Sequence, residues 1–309
     1  MPTDTSGSGI RAPSIRMVTP SFRGDLERCA ALCRSFDDFA DPAFRHQVIV
    51  PRRDLKRFRG LAGRRREVLC VEEVLPARAF RLPARRERFL LAWRHARKGW
   101  LVQQLVKLAA AREGGVDAVV LADSDIVLVR PLAPGHFLRG GRVRLYRADG
   151  TGHYRLDPNY PKWHRGAARL LGVDVEEPYP ANFIGPLASW APDVVRALCA
   201  RIEAVAGRPW VEAVAGLPAG AGFSEYTTYG LFSDLVDAAA RARHAAAGQA
   251  LCHLSWEHAV DTPAGREAFV RALRAEHVAV LIQSNLHLPP SDWRALLKAL
   301  PAGAAADAA

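Results

Sequence analysis

The sequence has little sulfur and no long hydrophobic run. Its 309 residues include five cysteines and two methionines, with no C-x-x-C pair. Cys29 and Cys33 stand one helical turn apart with no histidine nearby, so we expect buried thiols rather than a zinc site or a disulfide framework. No stretch reaches the roughly 18 apolar residues of a membrane span, and the amino terminus lacks the apolar block of a signal peptide. These absences predict a cytoplasmic protein.

The positive charge is concentrated in about one fifth of the chain. The net charge is +11, and residues 45–112 hold 19 Lys and Arg against 5 Asp and Glu. Such a segment fits a solvated basic face, a phosphate-bearing ligand, an anionic membrane surface contacted peripherally, or nucleic acid. Aromatic residues are not interleaved through Arg52 to Arg66, and no helix-turn-helix, zinc-finger or RNP pattern occurs. Nucleic-acid binding is therefore the weaker alternative.

Short β-branched runs alternate with longer segments of helical period, which is the pattern of β-α-β units on a mainly parallel sheet. The predicted strands are Ile15 to Thr19, Val48 to Val50, Val68 to Val71 and Ala118 to Ala122, and a helix is predicted over Gly99 to Arg112. Ligands of such sheets bind beyond the carboxyl ends of the strands. We therefore expect Thr19 to Asp25 and Pro51 to Arg53 at the rim of a cleft.

An acidic pair interrupts two apolar runs in the middle of the chain. Asp123-Ser124-Asp125 directly follows the predicted strand Ala118 to Ala122 and precedes Ile126 to Val129, which Pro131 ends. Two carboxylates on a short turn between hydrophobic flanks repel each other and lose hydration. They are tolerated best when they share a cation.

The apolar strand, the D-x-D motif and the second apolar run ending in proline resemble the GT-A-fold glycosyltransferases. Further segments that resemble this family are Val18 to Asp25, Gly99 to Leu108, Asn182 to Pro186 and Phe223 to Gly230, and the similarity spans roughly Arg16 to Asn285. The resemblance is to a poorly characterised bacterial branch. It implies an α/β, Rossmann-like fold with a mostly parallel sheet flanked by helices and a carboxyl-terminal acceptor-side portion.

The resemblance also implies the reaction. It is a metal-dependent transfer of a sugar from a UDP- or GDP-sugar to an unknown acceptor, which is a polysaccharide, a lipid-linked glycan or a small molecule. Mn²⁺ or Mg²⁺ would be bound by Asp125, with Asp123 reaching the metal through water or holding the donor ribose. His253 is our choice for a third ligand over His258 and His287, although none lies in the family's H-x-x-G setting and water is the alternative.

Several residues are expected to bind the donor. By resemblance they are Thr19, Pro20, Ser21, Arg52, Gln104, Lys107, Asp123, Ser124, Asn182 and Gly185. For Lys107 and Arg52, and for the neighbouring candidate Arg53, a plain surface role is the alternative. Trp163, Trp190 and Trp256 are interpreted as core residues, with sugar stacking as the alternative.

Glu225 is the predicted catalytic residue. Ser224 can cap a helix whose first turn contains Glu225, and a helix start beside a cleft presents that carboxylate to an acceptor. In an inverting enzyme Glu225 would take the proton of the acceptor hydroxyl, and in a retaining enzyme it would orient substrate. The alternative is an acid that only interacts favourably with the helix dipole.

A phosphatase of the haloacid dehalogenase type is the rival enzyme class, since D-x-D-x-V at Asp123 to Val127 fits its nucleophile motif. That motif normally lies on the first strand of its domain, whereas three predicted strands precede it here. The later acids Asp234 and Asp237 lie in a helical pattern rather than in a metal-binding one. Transfer chemistry is therefore favoured.

One catalytic domain is predicted over residues 13–301, with a nucleotide-binding half at 13–132 and an acceptor half at 133–301. Residues 1–12 and 302–309 are predicted to be disordered. Thr151 to His164 is predicted to be a loop over the cleft, and Gly207 to Gly222 another mobile segment.

Overall fold

The computed structural model describes residues 11–75, 96–218, 221–286 and 288–300. Residues 1–10, the predicted disordered tail and the candidate ligand His287 lie outside this part of the chain. In the described residues, no helix is both long enough and apolar enough to cross a membrane.

Strands and helices alternate through the first half of the chain. The strands are β1 (Ile15–Pro20), β2 (Phe44–Val50), β3 (Arg66–Cys70), β4 (Ala118–Leu121), β5 (Ile126–Leu128), β6 (Leu138–Arg139), β7 (Arg142–Tyr146), β8 (Ala148–Asp149), β9 (Ala181–Asn182), β10 (Ala188–Trp190), β11 (His244–Ala247), β12 (Cys252–Leu254) and β13 (Ala279–Leu281). The helices are α1 (Leu26–Phe39), α2 (Leu55–Phe58), α3 (Val71–Val74), α4 (Ala96–Ala111), α5 (Tyr160–Leu171), α6 (Pro192–Ala206), α7 (Trp210–Ala215), α8 (Glu225–Leu231), α9 (Ala238–Ala242), α10 (Pro263–Arg271) and α11 (Pro290–Ala299).

The central sheet has five strands in the order β10-β4-β1-β2-β3. Neighbouring strands from β4 to β3 are parallel, and β10 adds an antiparallel edge beside β4. All four residues of β4 are buried, as expected for a central strand covered on both faces. The predicted α/β fold with a mostly parallel sheet is confirmed. The carboxyl ends of β1, β2 and β4 therefore meet at one edge, where we expected a cleft.

The chain leaves the central sheet at the acidic turn. The Ile126 N–H donates to the Asp123 carbonyl oxygen over 3.2 Å, and β5 then pairs with the antiparallel strand β13 in a second, three-stranded sheet completed by β12. Two smaller sheets, β11-β7-β6 and β8-β9, follow in the second half. The turn between β4 and β5 thus lies where two sheets meet.

Two segments predicted to be irregular contain helices. Thr151 to His164 forms a 3-10 turn over Gly152–Arg155 and then the first part of α5, in which Tyr160 is buried. Gly207 to Gly222 contains α7, which begins at the buried Trp210. Both predictions underestimated the helical content, because the apolar residues that fix these short helices contact distant parts of the chain.

Candidate functional site

A cleft of about 890 Å³ opens at the carboxyl edge of the central sheet. Its size lies within the range of small-molecule sites. Seven residues predicted to act in catalysis, donor binding or metal binding line it: Pro20, Gln104, Lys107, Asp123, Ser124, Asp125 and Glu225. They come from β1, α4, the turn after β4 and α8, so the fold brings together residues that are about 200 positions apart in sequence.

The Asp123-Ser124-Asp125 turn faces the cleft. Asp125 Oδ2 accepts a hydrogen bond from the Ser284 N–H over 3.0 Å, and the Asp125 carbonyl oxygen accepts from the Ile282 N–H over 3.2 Å. These bonds attach the turn to the segment after β13. Burial, followed by repulsion from Asp123, raises the pKa of Asp125 to about 7.

Asp25 is a third carboxylate in the cleft that the sequence did not single out. Its Oδ2 accepts a hydrogen bond from Ser124 Oγ over 3.3 Å, and Arg28 lies 4.0 Å from its Oδ1. Burial raises the pKa of Asp25, and Asp123 adds to the effect. The available signal was its position in the polar turn after β1, which was already predicted to lie at the rim.

Lys107 connects the acidic turn to the predicted catalytic glutamate. Its Nζ lies 2.7 Å from Asp123 Oδ1 and 3.1 Å from Glu225 Oε1, and it donates to the Tyr226 hydroxyl over 3.0 Å. The Lys107 side chain is 6% exposed and the Asp123 side chain 38% exposed. The ammonium is therefore enclosed, while part of the Asp123 carboxylate stays open to solvent.

Glu225 is held at the amino-terminal end of α8. Ser224 Oγ accepts from the Thr227 N–H over 3.2 Å, which confirms the predicted helix cap, and the Glu225 N–H donates to Gln104 Oε1 over 3.0 Å. Only 2% of the Glu225 surface is exposed. Its carboxylate thus depends on Lys107 for charge compensation.

Burial and neighbouring charges shift the pKa values of Glu225 and Lys107. Burial raises the pKa of Glu225 above its ordinary value, although the Lys107 ammonium works in the opposite direction. Burial alone would lower the pKa of Lys107, but Asp123, Tyr226 and Glu225 together hold it well above its ordinary value. Lys107 is consequently a permanent cation between two acids.

Three predicted donor-binding residues near the amino-terminal half lie outside the lining of the cleft. Thr19 is fully buried with its Oγ1 2.9 Å from His46 Nε2, and Ser21 is 4% exposed. Arg52 is exposed and lies 3.6 Å from Glu73 Oε1. Successive side chains of a strand point to opposite faces of the sheet. Thr19 is therefore packed in the core, while Pro20 faces the cleft.

Asn182 and Gly185 also lie beside the cleft rather than in its lining. Asn182 Oδ1 accepts from the Tyr160 hydroxyl over 3.3 Å and from the Ile184 N–H over 2.9 Å. A Cβ atom on Gly185 would lie 2.8 Å from the Tyr146 ring, so this glycine is needed for close packing. Their neighbours Ile184 and Pro186 line the cleft instead.

His253 does not line the cleft, whereas His258 does. The His253 ring stacks on Phe269 with the ring centroids 4.4 Å apart, and its Nε2 lies 2.9 Å from the Phe269 carbonyl oxygen. No group of three or more His, Cys, Asp or Glu in the described ranges is arranged to hold a metal ion by itself. A third ligand from His253 thus has no support in the geometry.

The three candidate tryptophans separate into two kinds. Trp190 is 1% exposed and stacks on Tyr229 in the core, as interpreted from the sequence. Trp163 and Trp256 line the cleft, and Trp256 is 45% exposed. The core interpretation is therefore confirmed for Trp190 and wrong for Trp256, where sugar stacking stays the alternative.

Comparisons with known proteins identify a family for the chain. The family of unknown function DUF6492 matches residues 14–303. A search of the curated proteins found no match.

Among solved structures, the chain is similar to the galactosyltransferase LgtC in complex with donor and acceptor sugar analogues (TM-score 0.45, 10% identity, covering 93% of this chain and 96% of that one). It is also similar to mouse xyloside xylosyltransferase 1 (0.45, 10%, 89% and 99%) and to the glycosyltransferase GlyE of Streptococcus pneumoniae (0.40, 10%, 88% and 55%).

Proposed function

Since the chain belongs to the family of unknown function DUF6492, we propose its activity from the cleft: metal-dependent transfer of a sugar from a nucleoside-diphosphate sugar to an acceptor hydroxyl. The observation that supports this most is the position of Lys107, whose Nζ contacts both Asp123 of the D-x-D turn and the buried Glu225. The acidic turn and the catalytic candidate therefore face one cavity.

The carboxylates that line the cleft are suitable ligands for Mg²⁺ or Mn²⁺. Asp25, Asp123 and Asp125 all line the cleft, and Lys107 compensates directly only Asp123 among them. Carboxylate oxygens are the ligands that these hard cations prefer, and Mg²⁺ is usually bound by one or two carboxylates together with water and substrate phosphates. Asp125 and Asp123 would hold the ion, which would stabilise the negative charge that develops on the departing diphosphate.

Residues around the acidic turn would bind the rest of the donor. Pro20 lines the cleft at the end of β1, where the nucleoside side of such a ligand would lie by the topology of the sheet. Gln104 is 1% exposed, and its Nε2 has no hydrogen-bond acceptor among the described residues. A buried amide without an acceptor is costly, so an oxygen of the bound donor is the natural partner.

Glu225 would act on the acceptor. In an inverting transfer, its carboxylate takes the proton of the acceptor hydroxyl as that oxygen attacks the anomeric carbon and the nucleoside diphosphate leaves. In a retaining transfer, the same carboxylate orients the hydroxyl. Burial favours proton transfer, because the raised pKa of Glu225 makes the carboxylate a stronger base.

The test is turnover of a panel of UDP- and GDP-sugars with Mn²⁺, Mg²⁺ or a chelator. We expect the release of nucleoside diphosphate, first by slow hydrolysis and faster with a suitable acceptor, and we expect the chelator to abolish it. Release of inorganic phosphate from phosphate monoesters, without any release of nucleoside diphosphate, would instead support the phosphatase alternative. Steeply salt-dependent binding to nucleic acid without turnover would support the alternative that the protein is a nucleic-acid-binding protein.

A further inference from the structure

Exposed hydrophobic side chains are concentrated at the mouth of the cleft. Among the described residues, the large hydrophobic side chains that are exposed are Phe22, Trp100, Leu156, Val205, Leu235, Trp256 and Leu286. Four of these seven line the cleft, namely Trp100, Leu156, Trp256 and Leu286. We call these four the apolar rim. Such clustering of exposed apolar surface marks a binding site rather than chance exposure.

One half of the apolar rim is continuous with the acidic floor through α4. Trp100 is 48% exposed and lies on the same helix as Lys107, about two turns away. Its ring packs against that of Trp163, with the centroids 6.1 Å apart, and Leu156 is 65% exposed nearby on the segment before α5. A molecule that reaches Glu225 from this side would pass over these side chains.

The other half comes from the carboxyl-terminal segments that hold the D-x-D turn. Trp256 follows β12, and Leu286 follows Ser284, whose N–H donates to Asp125. These two side chains are 45% and 39% exposed. The apolar rim is thus built from both walls, and it encloses a floor that is charged.

The two leucines of the apolar rim, Leu156 and Leu286, distinguish among possible acceptors. A sugar ring can stack on a tryptophan face through its C–H groups, but its hydroxyls gain nothing from an exposed leucine. An alkyl or aryl group packed against these side chains would remove part of their exposed apolar surface from water, and each buried methylene contributes favourably. A purely saccharide acceptor would leave Leu156 and Leu286 in contact with water.

We propose, on the basis of the proposed transferase function, that the acceptor is an amphiphile whose hydroxyl faces Glu225 while its apolar aglycone lies against the apolar rim. The shared chemistry is a hydrophobic group attached close to the reacting hydroxyl. An alkyl chain and an aromatic ring are its two sources, and the experiment below separates them.

The test compares the binding of methyl, phenyl and n-octyl β-D-glucopyranoside, each below its micelle concentration, in the presence of UDP and Mn²⁺. Binding is followed by the fluorescence of the exposed tryptophans. We expect the octyl or the phenyl glycoside to bind about tenfold or more tightly than the methyl glycoside, since burial of about two methylene groups suffices for that factor. Whichever of the two binds more tightly identifies the aglycone as alkyl or aromatic.

Two serine variants locate the effect. Leu156→Ser should weaken binding of the tighter glycoside by about three- to tenfold, because it removes apolar contact area from the apolar rim. Leu235→Ser is the matched control, since Leu235 is 43% exposed but lies outside the cleft, and it should bind like the unmodified protein. Equal binding of all three glycosides, or equal weakening by both variants, would overturn the inference.

Nucleoside-diphosphate release from the donor panel, measured on the same preparation, separates the two proposals. Release without any preference for apolar glycosides contradicts only the amphiphilic acceptor. Tight octyl or phenyl binding without any release contradicts the transferase function, and the acceptor role of the apolar rim with it.

Discussion

Lys107 determines the electrostatic balance of the cleft floor at the scale of single residues. It is enclosed between Asp123 and Glu225, and the glutamate is almost completely buried. An ion pair of this kind contributes little net stability relative to apolar residues, but removal of one partner leaves an uncompensated charge. The ammonium is therefore needed to keep Glu225 ionised in place.

We predict that Lys107→Met lowers the free energy of unfolding by about 3 kcal/mol at pH 7. This value is the lower end of the range for a broken buried ion pair, because Asp123 remains partly solvated. Lys56→Met is the matched control, since Lys56 is exposed on α2 and should change stability by less than about 0.5 kcal/mol. Urea unfolding measures both. A Lys107 variant whose free energy of unfolding is nearly unchanged would show that Glu225 does not need this cation.

Glu225 has a separate role that a neutral isostere can isolate. We predict that Glu225→Gln lowers the rate of sugar transfer by about 10²- to 10⁴-fold, because the amide cannot accept the hydroxyl proton. The affinity for the nucleoside diphosphate should stay within about twofold, since Gln104 and the acidic turn are unchanged. Steady-state kinetics and calorimetry check the two quantities. Equal losses in both would reduce Glu225 to a structural residue.

At the scale of elements, the position of α8 depends on how closely α5 approaches the segment before it. A Cβ atom on Gly166 of α5 would lie 1.8 Å from the Gly222 carbonyl oxygen, which is backbone. Gly222 is itself attached to α5 through its N–H bond to the Lys162 carbonyl oxygen over 3.0 Å. Two residues later, Ser224 begins the cap of α8, so a displacement here moves Glu225.

We predict that Gly166→Ala destabilises the protein by about 1–3 kcal/mol through this clash and also lowers the rate of transfer. Gly99→Ala is the matched control within a helix, because a Cβ on Gly99 of α4 meets nothing within 4 Å. Alanine there should stabilise by up to about 1 kcal/mol through helix propensity. Opposite signs in thermal unfolding are expected, and a stabilised Gly166 variant would contradict the packing argument.

The elements that the sequence predicted well are those with strong local signals. The apolar runs at β1, β4 and β5 and the helical period of α4 gave boundaries within about three residues of the observed ones. The antiparallel strand β10 and the pairing of β5 with β13 were not predicted, because register between distant strands is not encoded in local periodicity.

The candidate site shows the same division. Asp123 and Asp125 were predicted because they directly follow a buried strand, and Glu225 because Ser224 precedes it. Asp25 and His258 reach the cleft only through tertiary folding, and no spacing rule separates His258 from His253. The direction of a side chain in an exposed turn depends on the residues that it packs against. These residues cannot be identified from the local sequence.

At the scale of the whole molecule, stability should depend on pH through buried neutral histidines. Burial lowers the pKa of His46 to about 3 from its ordinary value of 6.5. As the pH falls below 6.5, the unfolded chain takes up a proton at this position that the folded chain does not, so folding stability decreases. The full slope for one such group is about 1.4 kcal/mol per pH unit.

We predict that His46→Gln loses less stability than the unmodified protein between pH 7.5 and pH 5, by up to about 1.4 kcal/mol for each pH unit below 6.5. All other titrating groups are common to both proteins, so they cancel in the comparison. Urea unfolding at a series of pH values gives the two slopes. Identical slopes would show that His46 can be protonated in the folded state.

The proposed role of the acidic turn is tested most directly by calorimetric titration of UDP and GDP, with and without Mn²⁺, into the unmodified protein, Asp125→Ala and the control Asp38→Ala. Asp38 is an exposed carboxylate of α1 outside the cleft. We expect Mn²⁺ to strengthen binding of at least one nucleotide in the unmodified protein and in the control, and Asp125→Ala to lose that gain by at least about tenfold while it stays folded. An Asp125 variant that retains the full Mn²⁺-dependent gain would contradict the metal-dependent mechanism.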